Sequence, residues 1–391
     1  MVLLDKRFNN LKGYPFKRLN DLLKDITPID KKNINDMSIG QPLHDPPAFI
    51  KDILKKNIDK WKYYPPTNGI IELRNEYVNW LNKRFTLPKG FINLNKNVLS
   101  LAGTREGLFS IAISINSPRV ILPNPFYQVY LGASIVANSK LEILNTSKQT
   151  GYLYDLEDLD RVLSLGENSL VYFCSPSNPQ GAAASLEYWK EIIRIIRKRN
   201  AILISDECYV DIYTKEPPKG ILEACKTMGE SLSNILAFHS LSKRSNVAGI
   251  RSGFTVGDEK IINSFSKMRS YSAPTIPLPL QEVSIALWRD EKHVNENRVL
   301  YKEKFDYAEK ILSKKNRISL PDGGFYLWLP VRSSIELTRE IWEKTGIKVM
   351  PGAYLSVKNK NLDPGSNFIR VALVAEKRIC NIAIKKIAEF I

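Results

Sequence analysis

Lys243 stands in the string Ser-Leu-Ser-Lys-Arg-Ser-Asn-Val-Ala-Gly-Ile-Arg-Ser-Gly-Phe, residues 240–254, directly after an apolar run. A lysine among hydroxyls and an arginine joins two chemistries, an amine able to condense with a carbonyl and a cradle able to hold a phosphate. Ser240, Ser242 and Arg251 are the cradle candidates. A second reactive group comes from Asp206, which follows the strand-like run Ala-Ile-Leu-Ile-Ser and opens Asp-Glu-Cys-Tyr. That places a carboxylate at a strand's end, where open α/β sheets bind ligands. Tyr209, three residues on, brings a phenol to the same edge.

A phosphate beside a carbonyl-reactive lysine, with an acid available for a ring nitrogen, is the requirement of pyridoxal 5'-phosphate, whose pyridinium needs a carboxylate partner to act as an electron sink. Further strings occur in a fixed order around these residues: Ser-Ile-Gly-Gln-Pro at Gly40, Tyr-Pro-Pro-Thr-Asn-Gly at Tyr64, Gly-Thr-Arg-Glu-Gly at 103–107, Pro-Asn-Pro-Phe-Tyr-Gln-Val-Tyr around Tyr127, Ser-Asn-Pro-Gln-Gly around Asn178 and Asn-Phe-Ile-Arg-Val-Ala around Arg370. In this order the chain resembles, over nearly its whole length, the pyridoxal-phosphate-dependent aminotransferases of class I/II, the aspartate aminotransferase superfamily of fold type I. The resemblance implies roles for each position. Gly103, Thr104 and Arg105 form the phosphate-binding turn that opens a helix. Tyr127 stacks on the pyridine, and Asn178 and Tyr209 reach its phenolic oxygen. Gly40 lies on the substrate side and Arg370 grips the substrate α-carboxylate. Tyr64 reaches the phosphate in a neighbouring subunit, which implies a homodimer with shared sites.

Lys243 would then carry the cofactor and serve as the base, moving the substrate Cα proton while Asp206 keeps the ring nitrogen protonated. Within the superfamily, Tyr-Pro-Phe-Lys-Arg-Leu near the start and Ser-Lys-Arg-Ser-Asn-Val at the lysine look like the bacterial succinyldiaminopimelate aminotransferases, which exchange an amino group between glutamate and N-succinyl-2-amino-6-oxopimelate in lysine and diaminopimelate synthesis. A substrate with several carboxylates needs cations beyond Arg370, and Lys17 and Arg18 are candidates. A broad aspartate, aromatic or acetylornithine-type aminotransferase shares every cofactor residue, and so does a cysteine-type β-lyase.

Composition is that of a globular enzyme, 391 residues with 43% hydrophobic and 25% charged. The net charge of +16 raises the question of nucleic acid. The basic residues are spread along the chain, with no arginine-rich arm, zinc-finger spacing or helix-turn-helix pattern, so no nucleic-acid partner is expected. His44, His239 and His293 lack ligand spacing, so no metal is expected, and His239 is expected to pack beneath the lysine loop. Cys174, Cys208, Cys225 and Cys380 show no CxxC or disulfide spacing. An early charge interrupts the apolar start Met-Val-Leu-Leu, and no run approaches membrane-spanning length. The expectation is a soluble, unprocessed, cytoplasmic protein with no membrane partner.

Short apolar runs alternate with helix-period segments, the pattern of an α/β fold. Strands are predicted at Val98 to Ala102, Arg119 to Pro123, Leu141 to Thr146, Ser169 to Cys174, Ala201 to Ser205, Ile235 to His239 and Gly253 to Val256, making a mostly parallel sheet. A helix from Leu186 to Arg199, capped by Ser185, puts Trp189, Ile192, Ile193 and Ile196 on one face. A further helical stretch, Leu280 to Leu312, follows Pro274, Pro277 and Pro279 and leads into a smaller α+β part. By resemblance, residues 47–285 form the large cofactor domain, while 1–46 and 286–391 form the small one.

Overall fold

Successive side chains of a strand point to opposite faces, so a strand buried on both faces reads as a continuous apolar run. Ser169–Cys174 is buried at every position: Val171 and Phe173 enter one core, while Leu170 and Tyr172 enter another. Ile235–Ser240 divides in the same way, Ile235 and Ala237 against Leu236 and Phe238. The computed structural model describes residues 5–391 except 31–33, 230, 314–317 and 319. Residues 1–4 and 31–33 of the expected N-terminal small-domain segment therefore lie outside the described residues.

After a short β1 (Asn35–Asp36) come β2 (Val98–Leu101), β3 (Arg119–Asn124), β4 (Lys140–Asn145), β5 (Ser169–Cys174), β6 (Ile202–Asp206), β7 (Ile235–Ser240) and β8 (Gly253–Gly257). The last seven form one sheet in the order β2-β8-β7-β6-β5-β3-β4, and β8 alone runs opposite to the other six. All seven sequence-predicted strands occur, with ends shifted by a residue or so. The β4 ladder starts at Lys140, which pairs with Arg119, rather than at Leu141. Asp206 is itself the last strand residue of β6, registered against Cys174.

The helix Leu186–Lys198 covers one face of this sheet. The Ser185 hydroxyl accepts from the Tyr188 amide, and Trp189, Ile192, Ile193 and Ile196 are fully buried. Each such side chain contributes about 1.5–3 kcal/mol relative to full exposure. The helices Thr104–Ile115 and Gln128–Val136 cover the opposite face through Leu108, Ile111, Val129 and Tyr130. The expected stretch Leu280 to Leu312 is two helices, Leu278–Arg289 and Lys292–Leu312. Between them Asp290 takes an extended conformation, and its carboxylate accepts from the His293 amide, capping the second helix where a continuous one would have passed.

Beyond that break, β9 (Tyr326–Pro330), β10 (Ile347–Lys348), β11 (Met350–Pro351) and β12 (Phe368–Ala372) make a separate α+β layer. An antiparallel sheet has the order β11-β12-β9, while β10 pairs in parallel with β1. The helices Ser334–Thr345 and Lys377–Ile387 complete this layer, and Met37 shares its core. The N-terminal helix Pro15–Leu23 packs Leu19 and Leu23 against Met350 and Leu355. No helix among the described residues is long and apolar enough to cross a membrane.

Candidate active site

Parallel strands end along one edge of the sheet, and the segments leaving that edge build a cavity of about 390 Å³. β7 delivers Ser240 and a short helix, Leu241–Arg244, that carries Lys243. The Ser240 hydroxyl accepts from the Ser242 amide at 3.1 Å, fixing the turn into that helix. The Lys243 ammonium donates to the Gly40 carbonyl in a short hydrogen bond. Burial, reinforced by the charges of Arg370, Arg105 and Arg251, pushes this amine down to about 8. It is thereby brought towards the neutral, nucleophilic form at neutral pH.

Asp206 closes β6 and is 4% exposed. It accepts from the Tyr130 hydroxyl at 2.6 Å and the Cys208 amide at 3.2 Å, and it forms no ion pair among the described residues. Burial raises its pKa, opposed by these hydrogen bonds and by Lys243. A buried carboxylate met only by neutral donors has an uncompensated charge, and a cationic ring nitrogen would satisfy it.

The helix Thr104–Ile115 starts beside these groups, presenting free backbone N–H groups and the positive end of its dipole. Gly103, at φ +80°, precedes it, and a Cβ there would stand 2.1 Å from Nη2 of Arg251. The guanidinium therefore occupies the space a side chain would need. Arg251, itself left-handed at φ 54°, donates to the Ala248 carbonyl at 2.8 Å. Thr104 Oγ1 lies 3.1 Å from Cys208 Sγ. Arg105 donates to the Tyr127 hydroxyl at 2.7 Å, and its guanidinium also meets Tyr14. Ser240, Ser242, Arg251 and the Gly103–Thr104 turn thus form a donor set suited to a phosphate.

Arg370, on β12, is 3% exposed and lies over the Tyr326 ring. It donates to the Asn178 side-chain oxygen at 2.8 Å and to the Ser38 carbonyl at 2.7 Å, while its Nε is buried without a partner. Among the described residues no carboxylate pairs with it, so the positive charge waits for one. Tyr209 and Tyr326 bring their hydroxyls within 3.2 Å of each other. A Cβ on Gly40 would fall 1.7 Å from the Tyr326 hydroxyl, which is why no larger residue fits beside the lysine.

Gly40, Thr104, Arg105, Tyr127, Asn178, Asp206, Tyr209, Ser240, Ser242, Lys243, Arg251 and Arg370 all line this cavity. Gly103 supports it from behind through Arg251. Tyr64 stands apart, fully exposed and not a lining residue. Lys17 is also elsewhere, exposed and paired with Asp21. His239 packs among Trp80, Phe85 and Phe254 on β7. Tyr14, Tyr130, Cys208 and Tyr326 reach the site without having been singled out from sequence. Tyr130 ends the quoted string Pro-Asn-Pro-Phe-Tyr-Gln-Val-Tyr, and Gly-Gly-Phe-Tyr at 323–326 was the signal available for Tyr326.

The family profile for aminotransferase class I and II matches residues 32–387. Among solved structures, an aminotransferase from Neisseria meningitidis superimposes with a TM-score of 0.93 at 35% identity, covering 99% of each chain. The aminotransferase AspB from Helicobacter pylori gives 0.90 at 32% identity, over 97% of this chain and 99% of its own. An LL-diaminopimelate aminotransferase from Dehalococcoides mccartyi is 28% identical over 399 aligned residues, 99% of this chain and 98% of that relative.

Proposed function

The chain belongs to the class I and II aminotransferases, enzymes dependent on pyridoxal 5'-phosphate, and on that premise we propose that it transfers amino groups to and from diaminopimelate-type substrates. When bound, the cofactor supplies an aldehyde for condensation with amines and a ring that accepts electrons from the substrate Cα. The residues present fit it: an uncompensated buried carboxylate at Asp206, a phosphate donor set at Ser240, Ser242 and Arg251, and an amine between them. Lys243 Nζ would hold the cofactor through its aldehyde and, once displaced by the substrate amine, would be the base for the substrate Cα proton. Its lowered pKa brings the neutral base within reach at physiological pH. Asp206 would face the ring nitrogen and keep it protonated. Arg370 orients the substrate through its α-carboxylate, and Asn178 and Tyr209 supply hydrogen bonds at the phenolic side.

The observation that carries an amino-acid substrate is Arg370, a buried guanidinium with an orphan Nε and no carboxylate partner among the described residues. The diaminopimelate class is supported by the Dehalococcoides relative's name across nearly the whole chain, and the N-succinyl form by the Ser-Lys-Arg-Ser-Asn-Val and Tyr-Pro-Phe-Lys-Arg-Leu strings. We further propose a division at residues 47–285 against 1–46 and 286–391, and a homodimer in which Tyr64 completes the neighbouring site. The exposed Trp61, Tyr63, Tyr64 and Tyr271 are apolar surface that a second copy would cover. A cytoplasmic location fits four free cysteines.

The test is the visible spectrum of the holoenzyme during addition of N-succinyl-LL-diaminopimelate, LL-diaminopimelate, glutamate and aspartate. Loss of the lysine-linked band at low concentrations of a diaminopimelate donor, and its return with 2-oxoglutarate, is the expected result. A preference for aspartate would retain the aminotransferase and remove the proposed substrate. Pyruvate and thiol released from cysteine conjugates without an amino acceptor would favour the β-lyase.

A further inference from the structure

A second cavity, about 830 Å³, adjoins the first and shares Tyr14, Pro15, Arg105, Gln128 and Arg251 with it. Its cationic lining includes Lys12, Arg18 and Lys358, none of which forms an ion pair among the described residues. The carboxylates on its wall are already engaged. Glu106 is bound by Arg269, and Asp363 accepts from the Ser356 hydroxyl and the Gly365 amide. Glu106 is thus neutralised by Arg269, whereas Asp363 keeps its charge, so the wall holds more unpaired cations than carboxylates and its net charge is positive.

Arg18 is the one of these three held against an aromatic ring. It projects from the N-terminal helix Pro15–Leu23, which Leu19 and Leu23 anchor in a core, and its guanidinium lies 3.9 Å from the centre of the Tyr354 ring. Stacking on an aromatic face fixes the plane of a guanidinium while leaving its edge N–H groups free for a bidentate carboxylate. The neighbouring Lys17, one residue away, points elsewhere and is spent on Asp21. Helical geometry separates the two by about 100° around the axis, so only one of the pair can face the cavity.

We propose that this second cavity is a distal carboxylate subsite anchored by Arg18, and that the enzyme favours amino acids carrying an anionic group at the end of a long side chain or acyl extension. The inference rests on the aminotransferase reading of the first cavity. Arg370 takes the α-carboxylate, the chain passes Tyr14 and Arg105 at the shared wall, and the terminal carboxylate reaches Arg18. Lys12 and Lys358 raise the local positive potential without fixing geometry.

Unreactive dicarboxylic acids of increasing length, from succinate to suberate, test the subsite without turnover, by calorimetry on the holoenzyme. Affinity should tighten by about tenfold or more once the chain spans both arginines. Arg18→Gln should flatten the length dependence, Arg18→Lys should retain part of it, and Lys17→Gln should leave it as in the wild type. A flat wild-type series, the result expected of a cavity covered by a second copy, overturns the proposal, as does an Arg18→Gln series that still rises. Because these acids carry no amino group, the series holds or fails independently of which donor the enzyme converts. A flat series beside efficient conversion of diaminopimelate donors would remove Arg18 and keep the function.

Discussion

Asp206 and Asp211 lie five residues apart, both are buried, and their surroundings are opposite. Asp211 sits between Arg84, at 3.1 Å, and Arg244, at 3.5 Å. Although burial opposes ionisation there, Arg244, Arg84 and Arg298 hold its carboxyl below the usual range. Asp206 has neutral donors only, and burial raises its pKa. The arginines divide in the same way: Arg269, fully buried, has Glu106, whereas Arg370 has oxygens of Asn178 and Ser38. At Asp211 and Arg269 the charges are matched within the chain. At the edge they are left for small molecules to match, and that difference separates the binding site from the ionic scaffold that supports it.

Replacing Lys243 tests the edge most severely. Lys243→Ala should lower turnover by about ten-thousand-fold or more, since nucleophile and base are lost together. The visible lysine-linked band should vanish while the cofactor still co-elutes, held by Asp206 and the phosphate donors. Substantial residual turnover would show that the reactive amine lies elsewhere.

Paired substitutions sharpen the contrast between site and scaffold. Asp211→Asn should cost about 3–5 kcal/mol in denaturant unfolding, because the buried Arg244 and the largely covered Arg84 lose the carboxylate they share. Arg370→Gln should leave stability within about 1 kcal/mol, since the desolvation cost of an unmatched charge offsets the lost hydrogen bonds. Its KM for amino donors should instead rise by about two to three orders of magnitude. Equal destabilisation by both variants would erase the distinction.

The parts of this contrast legible in the sequence were those written locally. Trp189, Ile192, Ile193 and Ile196 reveal a buried helix face by spacing alone, and Ser185 marks its start. Lys243 and Asp206 were readable because each sits at the end of an apolar run, where the strand's direction fixes its position at the sheet edge. Tyr130 and Tyr326 were not, since each touches its partner, Asp206 or Gly40, only after chain segments 76 or more residues apart have packed. The two-helix break at Asp290 was missed because a capping carboxylate competes there with an otherwise helical pattern. Lys17 and Arg18 could be separated only once the N-terminal helix had a defined face.

The smallest effect follows from the titration of the edge. In cofactor-free protein, Lys243 has a folded pKa of about 8 against a reference value of 10.5. Below the folded value both states hold the proton, and the buried charge lowers stability. Between the two values the unfolded chain retains a proton that the folded chain has shed, so stability rises with pH through that window. Lys243→Met should therefore be more stable than the wild type at about pH 7, by at most about 3 kcal/mol, with the gap narrowing towards about pH 10. Taking the difference between the two proteins in urea unfolding removes the contribution of other lysines and tyrosines that titrate in both. The Asp211 cluster provides the contrast, because its carboxyl is held below the usual range and is already ionised throughout the window. A gap of constant size would mean that the Lys243 amine is charged in the folded state throughout, and the pocket edge would then be as well compensated as the scaffold behind it.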